Sequence, residues 1–158
     1  MGRQVTARAG CEKDADVFQC DIAMTDAAGG NFHVLVDSGY SSDHRGTDWS
    51  PSGRRFAYVD ECDDCSDWIV TRRPDGSHAK RLHRSRLRDV FFETPVWSSD
   101  ARRITYTKWL QSRHRLTWKS DIYAIRRDGP HVTRLTTNTR AKDETSAGRA
   151  KTVSSSRA

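Results

Sequence analysis

The residues of this chain whose spacing could support a defined chemistry are its cysteines: Cys11, Cys20, Cys62 and Cys65. Cys11 and Cys62 stand 51 residues apart, which is the spacing of a wider repeat, so the two pairs bracket equivalent loops. One disulfide in each loop, Cys11–Cys20 and Cys62–Cys65, would suit an oxidising compartment. The alternative is a zinc site with four cysteine ligands, formed by the two neighbouring loops. Cys62-x-x-Cys65 suits such a site, but the eight residues between Cys11 and Cys20 do not match the usual ligand spacing. Free thiols are the third interpretation.

Other signals of catalysis or cofactor binding are weak in this sequence. The acidic segment 60–64 could supply carboxylate oxygens to Ca²⁺, but it lacks the ordered spacing of a calcium loop, which favours a solvated loop. The sequence contains no Gly-x-Ser-x-Gly motif, no Walker loop and no dinucleotide-binding fingerprint. We therefore predict a chain without catalytic residues, metal sites or cofactors.

One segment has the composition of a recognition loop. Trp109 and Trp118 flank the basic stretch 110–117, which contains Arg113 and Arg115. Aromatic and arginine side chains are enriched where proteins bind partners, so these four residues are a candidate partner-binding loop. Simple packing of the loop is the alternative.

Two repeated motifs must position these residues, and the first is a Trp-containing turn and strand. It reads DWSPSGRRFAYV at 48–59 and VWSSDARRITYT at 96–107. The small turn residues reverse the chain, and the aromatic and β-branched residues that follow are typical of a strand. Positions 48 residues apart are equivalent, and the predicted core positions of the repeat are Trp49, Phe56, Tyr58, Trp97, Ile104 and Tyr106.

The second motif predicts a β-hairpin in three copies, each beginning with Asp, at 21–35, 67–82 and 121–135. Each copy has two short apolar runs around a turn at Gly29-Gly30, Asp75-Gly76 or Asp128-Gly129. Four strands in about 40–50 residues is the size of one propeller blade. We predict an all-β fold, a partial β-propeller of about three four-stranded antiparallel blades. The predicted boundaries are a repeat domain at 1–145, with units near 2–52, 53–100 and 101–148, and a disordered tail at 149–158.

The segments DWSPSGRRFAYV, PVWSSDARRITYT and SDIYAIRRDGPHVTRL resemble the repeats of TolB-type propellers, the PD40 or WD40-like group. The resemblance implies a non-catalytic scaffold that binds protein partners in the periplasm or outside the cell, although MGRQVTARAGCEK lacks the apolar region of a signal peptide. Similar repeats form the propellers of prolyl-oligopeptidase-like enzymes. The alternative is therefore a propeller fragment of such a peptidase.

Three blades would leave two sheet faces exposed, since a propeller ring closes only when its last blade meets its first. The propellers that this chain resembles have six or more blades. We expect either a fragment of a longer propeller or a homodimer in which two copies complete one ring.

Composition limits the remaining alternatives. Apolar residues make up 35% of the chain and charged residues 30%, with a mean hydropathy of −0.83, so the core should be thin. The formal charge of +6 allows a polyanion or nucleic-acid binder, but the arginines are scattered without a basic block, which makes nucleic acid the weaker alternative. No apolar run approaches the roughly 18 residues of a membrane span.

Overall fold

A computed structural model describes residues 4–14, 17–37, 42–62, 66–86, 89–111 and 118–137. These residues form three antiparallel sheets that follow one another along the chain. The first sheet contains β1 (Gln4–Asp14), β2 (Val17–Asp26) and β3 (His33–Val36). The second contains β4 (Ser42–Trp49), β5 (Phe56–Cys62), β6 (Ser66–Arg72) and β7 (Lys80–Arg84). The third contains β8 (Val90–Trp97), β9 (Arg103–Gln111), β10 (Trp118–Arg126) and β11 (Val132–Arg134).

Strands in each sheet are ordered as they occur in the sequence, so every connection within a sheet is a hairpin. The second and third sheets have the four strands that the repeats predict. The first sheet has three strands. Its strand β1 is equivalent to β5 of the second sheet, and the described residues include no strand equivalent to β4. The described part of the chain contains no helix long and apolar enough to cross a membrane.

The Trp-motif turns have the same hydrogen bonds in both copies. In the first copy, Gly53 N donates to Ser50 O at 2.8 Å; in the second, Ala101 N donates to Ser98 O at 2.9 Å. Gly53 and Ala101 both have positive φ, at 65° and 54°. The second turn therefore keeps its geometry although Ala stands where the first has Gly.

The second sheet lies in the middle of the stack, and both of its faces are buried. Phe56, Tyr58 and Val70 face the first sheet, where they pack with Ile22 and Met24. The alternate residues of the same strands pack against the third sheet, and they are Ala57, Val59 and Ile69. Burying a large apolar side chain contributes roughly 1.5–3 kcal/mol, so both faces of the β5–β6 hairpin help to hold the three sheets together.

The predicted core positions of the Trp motif lie in these two layers. Phe56, Ile104 and Tyr106 are fully buried, and Tyr58 is 1% exposed. Trp97 is 8% exposed, and the last of the six, Trp49, packs against the first layer as a partly buried side chain.

The three hairpins do not align on their first aspartates, Asp21, Asp67 and Asp121. They align on the isoleucine that follows, and the second copy is then offset by one residue at its aspartate. Ile22 and Ile69 face the following sheet in their respective hairpins, and Ile122 occupies the same place in the third. The second copy has one extra residue, Trp68, between its Asp and this isoleucine. From the isoleucine onward the copies correspond residue by residue. Asp67 is therefore not equivalent to the other two aspartates.

Hydrogen bonds also join neighbouring sheets. Thr6 Oγ1 donates to Thr47 Oγ1 at 3.0 Å, between the first sheet and the second. The main-chain N of Trp97 donates to Asp48 Oδ2 at 2.7 Å, between the second sheet and the third. The sheets are thus connected by polar contacts as well as by apolar packing.

Candidate binding sites

The second and third sheets form a cleft at the end of the stack where the tight turns lie, the turn-side cleft, with a volume of about 590 Å³. Its lining contains five basic side chains: Arg54, Arg55, Arg73, Lys80 and Arg127. Among the described residues of the lining the acidic group is Asp128, whose carboxylate pairs with Arg126 at 3.1 Å. The cleft is therefore strongly electropositive.

This concentration of charge differs from the scattered basic surface that the sequence predicts. An Arg-Arg pair stands beside each tight turn of the second and third sheets, at 54–55, 72–73, 102–103 and 126–127. These pairs are far apart in the sequence, but the stacking of the sheets brings the turns to one end of the molecule. The recurrence of Arg-Arg next to the turns of these two sheets is the sequence signal that could have located the cleft.

A second cleft lies between the same two sheets at the opposite end, where longer loops join the strands, and we call it the loop-side cleft. Its volume is about 710 Å³, and His83 and Lys108 are among its lining residues. Nδ1 of His83 shares a hydrogen bond of 2.7 Å with the Tyr106 hydroxyl, and the His83 ring stacks on Phe92 at 5.1 Å. Burial, helped by the positive charges of Lys108 and Arg86, lowers the pKa of His83 to about 4. His83 is therefore a neutral side chain near pH 7, fixed by aromatic neighbours.

A buried carboxylate lies behind the loop-side cleft. Asp67 is 2% exposed, and its Oδ2 accepts hydrogen bonds from the main-chain N of Phe92 at 2.6 Å and from Arg45 at 3.1 Å. Burial raises the pKa of Asp67 to about 6, and the Phe92 and Arg45 contacts oppose that rise. Arg45 also pairs with Glu61 at 2.7 Å. This cluster connects the second and third sheets.

The predicted partner-binding residues lie in part on the outer face of the third sheet, the face that points away from the second sheet. The Trp118 ring lies 5.5 Å from Phe91 and 6.4 Å from Trp109, and Trp118 is 43% exposed. Trp109 Nε1 donates to Glu93 Oε2 at 2.8 Å. Two members of the predicted loop lie outside the described residues, namely Arg113 and Arg115.

Of the four cysteines, the structure describes the side chain of Cys20. Cys20 is fully buried and disulfide-bonded. The side chains of Cys11 and Cys62 and the whole of Cys65 lie outside the described part of the chain, so the pairings Cys11–Cys20 and Cys62–Cys65 stay predictions. Within the described residues no group of three or more His, Cys, Asp and Glu side chains is arranged to hold a metal ion.

The chain is similar to known proteins in its structure. No family model and no curated protein matches the sequence. Among solved structures, an acylaminoacyl peptidase from Pyrococcus horikoshii is similar over 82% of this chain, with a TM-score of 0.59 and 12% sequence identity. That peptidase has a β-propeller domain. The fold of this chain is that of a partial β-propeller.

The similarity concerns the fold, since the two sequences share 12% of their residues. The match covers 22% of the peptidase, so this chain spans about a fifth of the length of that protein.

Proposed function

We propose that this chain is a propeller scaffold without catalysis of its own, and that it binds a protein partner through the outer face of its third sheet. The observation that carries the proposal is the exposure of one repeat position. Leu35 and Leu82 pack into the two core layers, whereas the equivalent Leu135 is 49% exposed. Ile122 is only partly buried, although its equivalents Ile22 and Ile69 are fully buried.

The contacts made at Leu35 and Leu82 indicate what should cover Leu135. In each case the glycine of the next hairpin lies against the leucine. A Cβ atom on Gly76 would lie 2.7 Å from Leu35 O, and one on Gly129 would lie 3.8 Å from the Leu82 side chain. The hairpin of another propeller sheet is thus the partner that fits Leu135.

The first sheet of a second copy supplies such a hairpin. Gly29 is equivalent to Gly76 and Gly129 and has a similar positive φ of 84°, but a Cβ atom there would have no described atom within 4 Å. Within the chain, the hairpins equivalent to that of Gly29 cover the leucines equivalent to Leu135. The Gly29 hairpin of one copy should therefore fit the Leu135 face of another. Two copies joined in this way at both ends would form a ring of six sheets, a closed head-to-tail arrangement.

The aromatic cluster adds recognition area to this face. Phe91, Trp109 and Trp118 lie beside one another near its loop end, and large aromatic side chains contribute much of the binding energy at protein interfaces. Trp118 is the most exposed of the three and would be covered in the complex. The TolB-type resemblance of the repeats agrees with a scaffold that binds protein.

An oxidising location, periplasmic or extracellular, completes the proposal. The disulfide at Cys20 supports it, because disulfides persist mainly outside the reducing cytosol. Loss of thermal stability on treatment with a reducing agent would agree with this location. Cytosolic chains in which all four cysteines are reduced would contradict it.

The test of the proposal is the solution mass of Leu135→Asp, with Leu110→Asp as the matched control. Leu110 is 44% exposed in the same sheet but belongs to the opposite face. We expect light scattering to give twice the chain mass of 18.0 kDa for the wild type and for Leu110→Asp, and a single chain mass for Leu135→Asp. A monomeric wild type, or equal effects of the two substitutions, would contradict the proposal.

The fold similarity to the P. horikoshii peptidase favours a second candidate function. The chain would then be part of the propeller of a peptidase, where it would restrict access of substrates to a hydrolase domain. The Leu135 face would in that case be covered by the next blade of the same polypeptide. A hydrolase domain in the same reading frame, together with a monomeric isolated chain, would select this function over the first.

A further inference from the structure

We propose that the turn-side cleft binds a small anion that carries at least two phosphate groups. This site is independent of the Leu135 face, and its ligand class goes beyond the proposed scaffold function. The cleft lies between the second and third sheets, where three separate turns contribute its basic side chains.

The cleft carries an excess of positive charge. Arg54 and Arg55 come from the Trp-motif turn, Arg73 and Lys80 from the second hairpin, and Arg127 from the third. Among the described residues none of these five side chains forms an ion pair with a carboxylate. The acidic residue of the lining, Asp128, is already paired with Arg126, and the charge of Arg73 also acts on nearby Asp75. The lining nevertheless keeps a net positive charge, and a multivalent anion would reduce the repulsion among its cations.

Two of these cations are held in position by neutral acceptors. Lys80 Nζ donates to the main-chain oxygen of Asp128 at 3.0 Å. Arg55 Nη1 donates to Thr71 Oγ1 at 3.3 Å and to the main-chain oxygen of His78 at 3.4 Å. These bonds orient the two side chains and leave their charges unneutralised, as a preformed anion site requires.

Uncharged donors lie in the lining beside the cations. The hydroxyls of Ser50 and Ser52 line the cleft and can donate to the same ligand. Trp97 forms an apolar part of the cleft wall.

A ligand with phosphate groups suits this set of donors. The planar guanidinium group of Arg donates two parallel hydrogen bonds to phosphate or carboxylate, and four of the five cations are arginines. Phosphate offers more negative charge and more acceptor oxygens per group than a carboxylate. A volume of about 590 Å³ lies within the range of small-molecule sites and exceeds what one phosphate ion would fill. Because the cations come from three turns, a ligand with two phosphate groups can contact more of them than a single phosphate ion.

Calorimetric titration with inorganic pyrophosphate tests this proposal on the whole chain. The variant is the double substitution Arg73→Gln and Arg127→Gln, whose side chains are exposed and should not be needed for folding. The matched control is Arg84→Gln with Arg86→Gln, which removes two exposed arginines at the loop-side cleft. Circular dichroism would show that both variants keep the wild-type fold.

We expect saturable binding of one pyrophosphate per chain to the wild type, weakened at least tenfold in the cleft variant and less than twofold in the control. Citrate, which carries carboxylates in place of phosphates, should bind at least tenfold more weakly than pyrophosphate. Three results would overturn the proposal: no saturable binding to the wild type, an equal loss in both variants, or citrate binding as tight as that of pyrophosphate. None of them bears on whether the chain dimerises through Leu135.

Discussion

Gly76 lies against the main chain of Leu35, so closely that a Cβ atom on the glycine would come within 2.7 Å of the Leu35 carbonyl oxygen. This contact joins the turn of the second hairpin to the end of the first. Gly129 and Leu82 repeat it less tightly between the second hairpin and the third. The hairpin turns thus serve two purposes, since they reverse the chain and they fit each sheet onto the one before it.

Substitution of Gly76 by Ala should destabilise the chain more than substitution of Gly53 by Ala. Both glycines have positive φ, 75° and 65°, so both variants lose about 1–3 kcal/mol to backbone strain. Only Gly76→Ala adds a clash with Leu35, because a Cβ atom on Gly53 has no described atom within 4 Å. Urea unfolding measures the difference, and equal losses for the two variants would show that the Gly76–Leu35 contact is not tight.

Asp67 should make the folded chain less stable as the pH rises from about 4 to about 6. Its folded pKa of about 6 lies above the ordinary value of 3.8, so in this range the folded state binds a proton that the unfolded state has lost. The stabilisation that comes from protonated Asp67 is present at low pH and is lost as the pH rises through 6. The change should be on the order of 2 kcal/mol, since one pKa unit corresponds to about 1.4 kcal/mol.

Asp67→Asn removes this titration while an amide oxygen remains to accept the Phe92 N–H. The free energy of unfolding of the wild type, minus that of Asp67→Asn, should therefore fall between pH 4 and pH 6 and stay constant above it. A difference that is constant from pH 4 to pH 7 would show that Asp67 titrates normally.

His83 should act in the opposite direction. Its folded pKa of about 4 lies below the ordinary value of 6.5, so between these values the unfolded state binds a proton that the folded state does not. This group therefore lowers stability at pH 4, and the loss disappears as the pH rises to 6.5. The charged neighbours that maintain the low pKa are Lys108 and Arg86.

His83→Asn keeps a polar partner for the Tyr106 hydroxyl and removes the titration. The free energy of unfolding of the wild type, relative to this variant, should rise from pH 4 to pH 6.5. Combining Asp67→Asn with His83→Asn should leave a flatter profile than either single variant. A profile of His83→Asn that runs parallel to the wild type would disprove the low pKa of His83.

The strands and turns could be predicted from the sequence because their causes are local. Gly53, Gly76 and Gly129 occupy positive φ where a turn requires it, and the alternation of Phe56 and Tyr58 with smaller residues marks a strand buried on both faces. These signals act within a few residues of one another. The all-β propeller fold follows from their repetition.

The clefts and the role of Asp67 could not be predicted, because they depend on how the sheets stack. Aligning the hairpins on their aspartates puts Asp67 one residue away from its structural position. The extra residue, Trp68, can be recognised only once Ile69 is known to be the buried isoleucine. Arg54, Arg73 and Arg127 are separated by many residues and meet only at the end of the stack. The Arg-Arg pairs mark the turns in the sequence, but which of the turns meet depends on how the sheets stack.

The most direct test of the account is disulfide trapping between two variants, Gly29→Cys and Leu135→Cys. In the equivalent pairs within the chain, a Cβ atom on Gly76 would lie 3.9 Å from Leu35 Cα, and one on Gly129 would lie 4.0 Å from Leu82 Cα, which a disulfide can bridge. If the Gly29 hairpin of one copy covers the Leu135 face of another, mixing the two variants should trap a covalent dimer under mild oxidation. Each variant alone should give no such product. A mixture that traps no more dimer than the separate variants would contradict the proposed head-to-tail ring.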